Sequence, residues 1–225
     1  MWNKNFTGVE NIMDLDELIK KVEKEAIERY STRFKNLGIS PRSLGWGCKE
    51  DQLERFRVVL EQCKPSGKTL MDIGCGFSDL YVYLKEHTVK LNYIGVDFVP
   101  VFIEFCKKNF SDQKFYLSNI MRQTETLPKA DIVVSLGTIN FKLENDLNFK
   151  YSKYFITKAF DLAKEMLCVD FLSKYRIPEY PKEDFVYYHS PEDVFKFATS
   201  LTNNVRLLHN YKAIPQKEFM IILEK

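Results

Sequence analysis

The stretch Thr69-Leu70-Met71-Asp72-Ile73-Gly74-Cys75-Gly76-Phe77-Ser78-Asp79 constrains this chain more than any other. An apolar run too short for a helix ends on two glycines one residue apart, and a helix-patterned segment, Asp79–Glu86, follows directly. A strand that turns straight into a helix is the opening half of a βα unit. The unit recurs. Further strand-like runs lie at Tyr93–Asp97, Lys114–Leu117, Ile132–Leu136 and Leu167–Phe171, with helical stretches at Val101–Asn109 and Leu147–Met166 between them. In the last of these, Phe155, Ala159, Leu162 and Met166 share a face. Ser190-Pro191-Glu192-Asp193 predicts another helix, running to about Leu201, because serine caps the free amides and proline suits the first turn. Strands at Val205–Tyr211 and Glu218–Leu223 close the chain, and the short link containing Pro215 predicts that they pair antiparallel. Repeated βα units give a doubly wound α/β fold, a mostly parallel sheet with helices on both faces. Such sheets take ligands beyond the carboxyl ends of their strands, where strand order reverses.

Ahead of this body, Leu15, Leu18, Ile19, Val22, Ala26, Tyr30 and Phe34 recur at helical spacing, which predicts a helix from Asp14 to about Leu37. Asp14 with Glu17 forms a capping-box pattern and Gly38 a stop. A turn-rich link, residues 38–47, leads to a second helix over Lys49–Cys63. The expected organisation is an N-terminal helical cap over residues 1–65 and an α/β domain over residues 66–225.

With 33 basic and 31 acidic residues the net charge is +2, so charge gives no reason to expect a nucleic-acid partner. No apolar run reaches the ~18 residues of a membrane span, and Met1–Glu10 lacks a signal-peptide stretch. The cysteines Cys48, Cys63, Cys75, Cys106 and Cys168 are odd in number, widely spaced and form no CxxC pair, which predicts reduced thiols, no disulfide framework and no metal site. The expectation is a cytoplasmic protein.

Two ligands explain a glycine turn at a strand end. A dinucleotide needs Gly-x-Gly-x-x-Gly with its pyrophosphate at the helix start. Here the third glycine position is Asp79, whose carboxylate would repel a pyrophosphate. S-adenosylmethionine (SAM) has no phosphate, and its ammonium pairs with an acid beside the turn. Asp72 adds a carboxylate at the strand end, and Tyr93-Ile94-Gly95-Val96-Asp97 is an apolar strand ending in an acid. An acid roughly 20 residues past the turn is placed to accept hydrogen bonds from ribose hydroxyls. Asp72-Ile73-Gly74-Cys75-Gly76 followed by Gly95-Val96-Asp97 resembles the first two motifs of the class I SAM-dependent methyltransferases, and the likeness extends over about Lys68 to Lys225. It implies a seven-stranded sheet of order 3-2-1-4-5-7-6 with the last strand antiparallel. It also implies SAM as cofactor, contacts from Asp72, Gly74, Cys75, Gly76 and Asp97, and packing of Phe98 on adenine. Asn119 stands where the family commonly has an aspartate for the adenine amine, with Ile120 beside it and Ser135 at the end of the fourth strand. The family glycine after Gly76 is Ser78.

Ser135-Leu136-Gly137-Thr138-Ile139-Asn140-Phe141 faces the transferred methyl in such a fold, which makes Thr138 and Asn140 candidate substrate contacts. It carries neither Asn/Asp-Pro-Pro-aromatic nor Pro-Cys, which argues against base amino- and cytosine-C5 methylation. The loop Ser173–His189 is rich in aromatic residues, including Tyr175, Tyr180, Phe185, Tyr187 and Tyr188. His189, with Tyr188, is the candidate catalytic pair, and Tyr187 a substrate contact; ordinary loop packing is the competing account of all three. Tyr30, Arg33 and Trp46 from the cap are candidate cofactor contacts, Arg33 through the carboxylate of SAM or of an acceptor. The expected function is methyl transfer from SAM to oxygen or nitrogen of a small molecule. The alternatives are a methyltransferase acting on protein or RNA and a noncatalytic SAM-fold binding protein.

Overall fold

The computed structural model describes residues 12–144, 147–179, 182–210 and 218–225, with side chains described from residue 15 onward. Helix α1 spans Ile12–Leu37 and α2 spans Lys49–Cys63. Strand β1 is Thr69–Ile73, followed by α3 (Asp79–Glu86), β2 (Asn92–Asp97), α4 (Pro100–Asn109), β3 (Lys114–Leu117) and β4 (Ala130–Ser135). Helix α5 (Asn148–Leu162), β5 (Ala163–Leu172), α6 (Pro191–Ala198), β6 (Asn204–Leu208) and β7 (Glu218–Glu224) complete the chain. The seven strands form one sheet of order β3-β2-β1-β4-β5-β7-β6. Strands β1 to β5 pair in parallel, and β7 runs antiparallel to both β5 and β6. Strand order reverses between β1 and β4, so the switch point lies where the glycine turn leaves β1.

Alternation along each strand feeds two apolar layers. In β7, Phe219, Ile221 and Leu223 enter the layer under α1, α5 and α6, while Met220 and Ile222 enter the layer under α2, α3 and α4. The same alternation sends Met71 and Ile73 of β1 to one side and Leu70 to the other. α1 docks through Ile19 and Val22, and its later turns bring Ile27, Tyr30 and Phe34 against Phe77, Val99 and Phe102. Gly38, at φ 63°, terminates α1 by donating to Phe34 O at 2.8 Å.

Several expected boundaries move. The helix predicted to reach Met166 stops at Leu162, because Ala163 and Met166 pair with Ala130 and Ile132 of β4. Ladder pairing overrides the helical periodicity there. α6 ends at Ala198, short of Leu201. The link 38–47 holds a 3-10 turn over Pro41–Leu44, capped by Ser40, whose hydroxyl accepts from Ser43 N. α1 begins at Ile12, ahead of Asp14, whose capping side chain lies outside the described residues, as do Tyr180, Tyr211 and Pro215. α2 packs into the same apolar layer as β1 and β4 through Phe56, Val59 and Cys63. Among the described residues no helix is long and apolar enough to cross a membrane.

Candidate functional site

The end of β1 bends at Gly74-Cys75-Gly76, where Gly74 and Gly76 adopt φ of 78° and 51°. A Cβ on Gly74 would collide with Thr138 Cγ2, and one on Gly76 would stand 2.7 Å from Leu44 Cδ2. The missing side chains therefore keep a cleft open between the turn, the cap and the loop after β4. Gly74 N donates to Val96 O at 2.7 Å, which ties the turn to the end of β2. There Asp97 accepts from Gly76 N at 3.1 Å through Oδ2 and from Val99 N at 2.9 Å through Oδ1. Each carboxylate oxygen retains a second lone pair. Ser78, at φ 62°, occupies a left-handed backbone position that would suit a glycine.

A pocket of about 710 Å³ lies over this turn, walled by Tyr30, Leu44, Trp46, Phe98 and Phe102. Asp72, Asp79 and Asp97 all face it, and among the described residues no lysine, arginine or histidine lines it. Asp72 is buried and accepts from Tyr93 Oη at 2.6 Å, and burial pushes its pKa up to about 7. Burial likewise pushes Asp97 up to about 6. Asp79, the first residue of α3, accepts from Gln52 Nε2 at 2.9 Å and is also raised by burial. Carboxyl groups held out of water without a cation are stabilised by a cationic ligand. SAM carries a sulfonium, an ammonium and ribose hydroxyls but no phosphate. The glycine cradle, the uncompensated acids and the absence of a lining cation fit that group, whereas a pyrophosphate would meet Asp79.

A second cavity, about 850 Å³, continues past Asp97 and Phe98 to Asn119 and Ile120 after β3. Asn119 is committed to its own loop: Oδ1 accepts from Met121 N at 3.0 Å and Nδ2 donates to Glu23 of α1 at 2.9 Å. Its oxygen accepts that one bond and keeps a second lone pair. Ser135 lies wholly buried behind the wall, donating to Ile73 O at 2.9 Å and bonding Thr138 Oγ1 at 2.6 Å. It positions Thr138 rather than facing the cavity.

A wider cleft of about 1400 Å³ adjoins both pockets and shares Tyr30 and Thr138 with them. Asn140 lines it, with its Oδ1 bonded to Leu172 N at 3.0 Å. Arg33 also lines this cleft and not the pocket over the turn, its guanidinium 5.7 Å from the Tyr30 ring centre. His189 lines none of the three cavities. It is fully buried, with ring centres 4.8 Å from Phe171 and 4.7 Å from Tyr187, and burial holds its pKa down at about 4. Its ring is a packing element there, so the expected general-base role is not carried forward. Tyr188 accepts from Glu183 N at 3.1 Å and lies beside Arg176, while Tyr187 N bonds Asn140 O at 2.8 Å; both face a separate surface cavity. The loop that was expected to supply base and substrate contact turns those rings away from the cleft, leaving Glu183, Phe185 and Val186 in it.

The sequence did not reveal the buried cluster that braces the cleft. Arg55 of α2 bonds Asp170 of β5 at 2.8 Å through Nε and Glu218 of β7 through Nη2, and its guanidinium stacks 4.3 Å from the Trp46 ring centre. Asp170 Oδ1 in turn accepts from Gly137 N at 2.5 Å. The signal was present: Asp170 is a lone acid between Val169 and Phe171 in an apolar strand.

Residues 64–221 match the family model described as "Methyltransferase domain". A relative named as a methyltransferase, 235L of Invertebrate iridescent virus 6, is 26% identical over 167 residues, which cover 69% of this chain and 58% of the relative. The chain thus spans just over half the length of that curated relative. Among solved structures, the magnesium protoporphyrin IX methyltransferase ChlM from Synechocystis PCC 6803 with bound SAM has a TM-score of 0.59 at 12% identity, covering 100% of both chains. A TehB-like SAM-dependent methyltransferase from Corynebacterium glutamicum has a TM-score of 0.56 at 15% identity, covering 90% of this chain and 100% of that one. The small RNA methyltransferase HEN1 has a TM-score of 0.59 at 17% identity, covering 78% of this chain and 25% of that one. At these identities the likeness to the solved structures is one of fold.

Proposed function

From the premise that the chain belongs to the methyltransferase-domain family, we propose that it transfers a methyl group from SAM to an oxygen or nitrogen of a small-molecule acceptor. The observation that carries this reading is the cradle at the switch point, where a left-handed glycine turn and the buried Asp97 share one hydrogen bond, Gly76 N to Asp97 Oδ2 at 3.1 Å. In this reading the free lone pairs of Asp97 accept from the ribose hydroxyls, Asp72 and Asp79 attract the ammonium, and Phe98 and Ile120 flank the adenine. Gly74, Cys75 and Gly76 let the backbone approach, and Tyr30 and Trp46 close the pocket from the cap side. When bound, SAM supplies an electrophilic methyl group on a sulfonium. The chain contributes orientation and exclusion of water, which suffice to lower the barrier for an in-line displacement. Thr138, standing between the cofactor pocket and the wider cleft, is assigned to the acceptor side with Asn140.

Residues 1–65 act as the cap of this reading and residues 66–225 as the SAM-binding body. A small acceptor suits a cleft whose lining mixes acids with bases; the residues facing it include Asp51, Glu183 and Glu218, which disfavour a polyphosphate chain. The free thiols of Cys48, Cys63, Cys75, Cys106 and Cys168 fit a reducing cytoplasm. Calorimetric titration with SAM and S-adenosylhomocysteine tests the proposal. Asp97→Ala is expected to weaken binding by about 10- to 100-fold, the worth of one charged hydrogen bond or more, with cooperative unfolding retained. Wild-type affinity in a folded Asp97→Ala variant would remove the ribose assignment, and failure of the unaltered chain to bind either nucleoside would remove the enzyme reading.

A further inference from the structure

Glu218 begins β7, lines the wide cleft and is 1% exposed. One carboxylate oxygen is held by Arg55 Nη2. The other, Oε2, has no hydrogen-bond partner among the described residues, although the residue lines the cleft. A buried carboxylate oxygen without a donor costs free energy unless something supplies one. Arg55, which lines the same cleft, fixes the side chain through the other oxygen. Arg29 and Arg33 of α1 and Arg42 of the turn after it line the same cleft. None of the three is salt-bridged among the described residues, and Arg29 and Arg42 are exposed. Four aromatic rings, Tyr30, Trp46, Phe141 and Phe185, line the cleft as well, beside Asp51 and Glu183.

We infer that the wide cleft binds a planar, anionic acceptor, with its carboxylate or phosphate on Arg29, Arg33 and Arg42 and a hydroxyl or amino hydrogen donated to Glu218 Oε2. The inference rests on the methyltransferase reading and names the substrate class of that site. Planar guanidinium groups suit carboxylate and phosphate oxygens, aromatic walls suit a conjugated body, and Glu218 selects acceptors that carry a donor hydrogen. Thr138 and Trp46, shared between cofactor pocket and cleft, mark the boundary across which donor and acceptor meet. Glu218 is a positioning residue in this arrangement: it holds the donor hydrogen, and the proton released on methylation passes to solvent.

The full chain loaded with S-adenosylhomocysteine is titrated by calorimetry and ligand-observed NMR with 4-hydroxybenzoate, 4-hydroxyphenyl phosphate, 4-hydroxybenzamide, 4-methoxybenzoate and a short single-stranded RNA. The anionic phenols are expected to bind at least about tenfold more tightly than the neutral amide, since a charged hydrogen bond is worth that much or more. The stronger of the two anions identifies carboxylate or phosphate as the native group. Arg29→Ala with Arg42→Ala should abolish the preference for anions. Glu218→Gln should weaken the phenols by about tenfold and leave 4-methoxybenzoate unchanged, with the unfolding midpoint reporting whether the Arg55 contact survives. The surface arginine pair keeps the test intact if the buried variant fails to fold. Equal affinity for acid and amide, absence of binding by every probe, tighter binding by RNA, or arginine variants that weaken S-adenosylhomocysteine instead of the acids would each overturn the inference. Absence of S-adenosylhomocysteine binding to the unaltered chain would instead strike the methyltransferase reading beneath it.

Discussion

Gly74 shows how much a single residue decides. Its φ of 78° and the Thr138 methyl above it leave no room for a side chain. Gly74→Ala is therefore expected to destabilise the fold by about 1–3 kcal/mol, the usual cost of a left-handed non-glycine residue with a clash, and to abolish SAM binding; denaturant unfolding and calorimetry report the two effects separately. Acid placement gives a second expectation at this scale. Burial raises Asp72 to about 7 and Asp97 to about 6, above the ordinary value of 3.8. A raised acid stabilises the fold in its protonated form, so this contribution is whole below pH 3.8 and is lost as pH rises through 6 to 7. A cation reverses the preference. The affinity for SAM should rise from pH 5.5 to pH 8 by up to about tenfold for each unit by which it lowers one of these values, with proton release below pH 7. Calorimetry in buffers of different ionisation heat measures both; a flat profile would count against carboxylate pairing. Both acids and both glycines were legible in the sequence, because each stands at a strand end where motif spacing fixes its place. His189 was not, because nothing in its neighbourhood along the chain says that Phe171 and Tyr187 enclose it.

At the scale of elements, periodicity recovered β1, β3, α2 and α3 to the residue, and it failed where two elements abut without a turn. Leu162 and Ala163 are neighbours in sequence, yet one ends α5 and the other begins β5. The apolar face that helical spacing carried on to Met166 was in fact claimed by pairing with β4. The Arg55 cluster illustrates the same limit. It joins α2, β5 and β7 over long sequence separations, and it also steadies Trp46 and the Gly137 amide. Arg55→Ala leaves Asp170 and Glu218 buried without their cation, so a loss of about 3–5 kcal/mol is expected. Chemical denaturation measures it, and a loss below about 1 kcal/mol would mean that the cluster relaxes around the gap.

At the scale of the whole molecule, the cap and body do not meet as independent units. α2 belongs to the apolar layer beneath the sheet, whereas α1 and the link after it reach over the pocket at the glycine turn with Tyr30, Leu44 and Trp46. Removal of residues 1–47 is therefore expected to leave a chain that still unfolds cooperatively, at lower temperature because Ile19 and Val22 no longer cover the sheet, and that no longer binds S-adenosylhomocysteine. Removal of residues 1–65 takes Phe56, Val59 and Cys63 from the core as well and should abolish cooperative unfolding. Calorimetric unfolding of the two truncations separates the cases.

Local patterning alone determined the alternation of strands and helices, the glycine turn, the acids at the ends of β1 and β2 and hence the family, because these are set by residues close together in the chain. Tertiary structure decided which side chains face the cleft, which acids burial raises and which oxygen of Glu218 is left without a donor. Those outcomes depend on contacts between residues far apart in sequence, such as Arg55 with Glu218 and Gly74 with Thr138, and no local pattern encodes them.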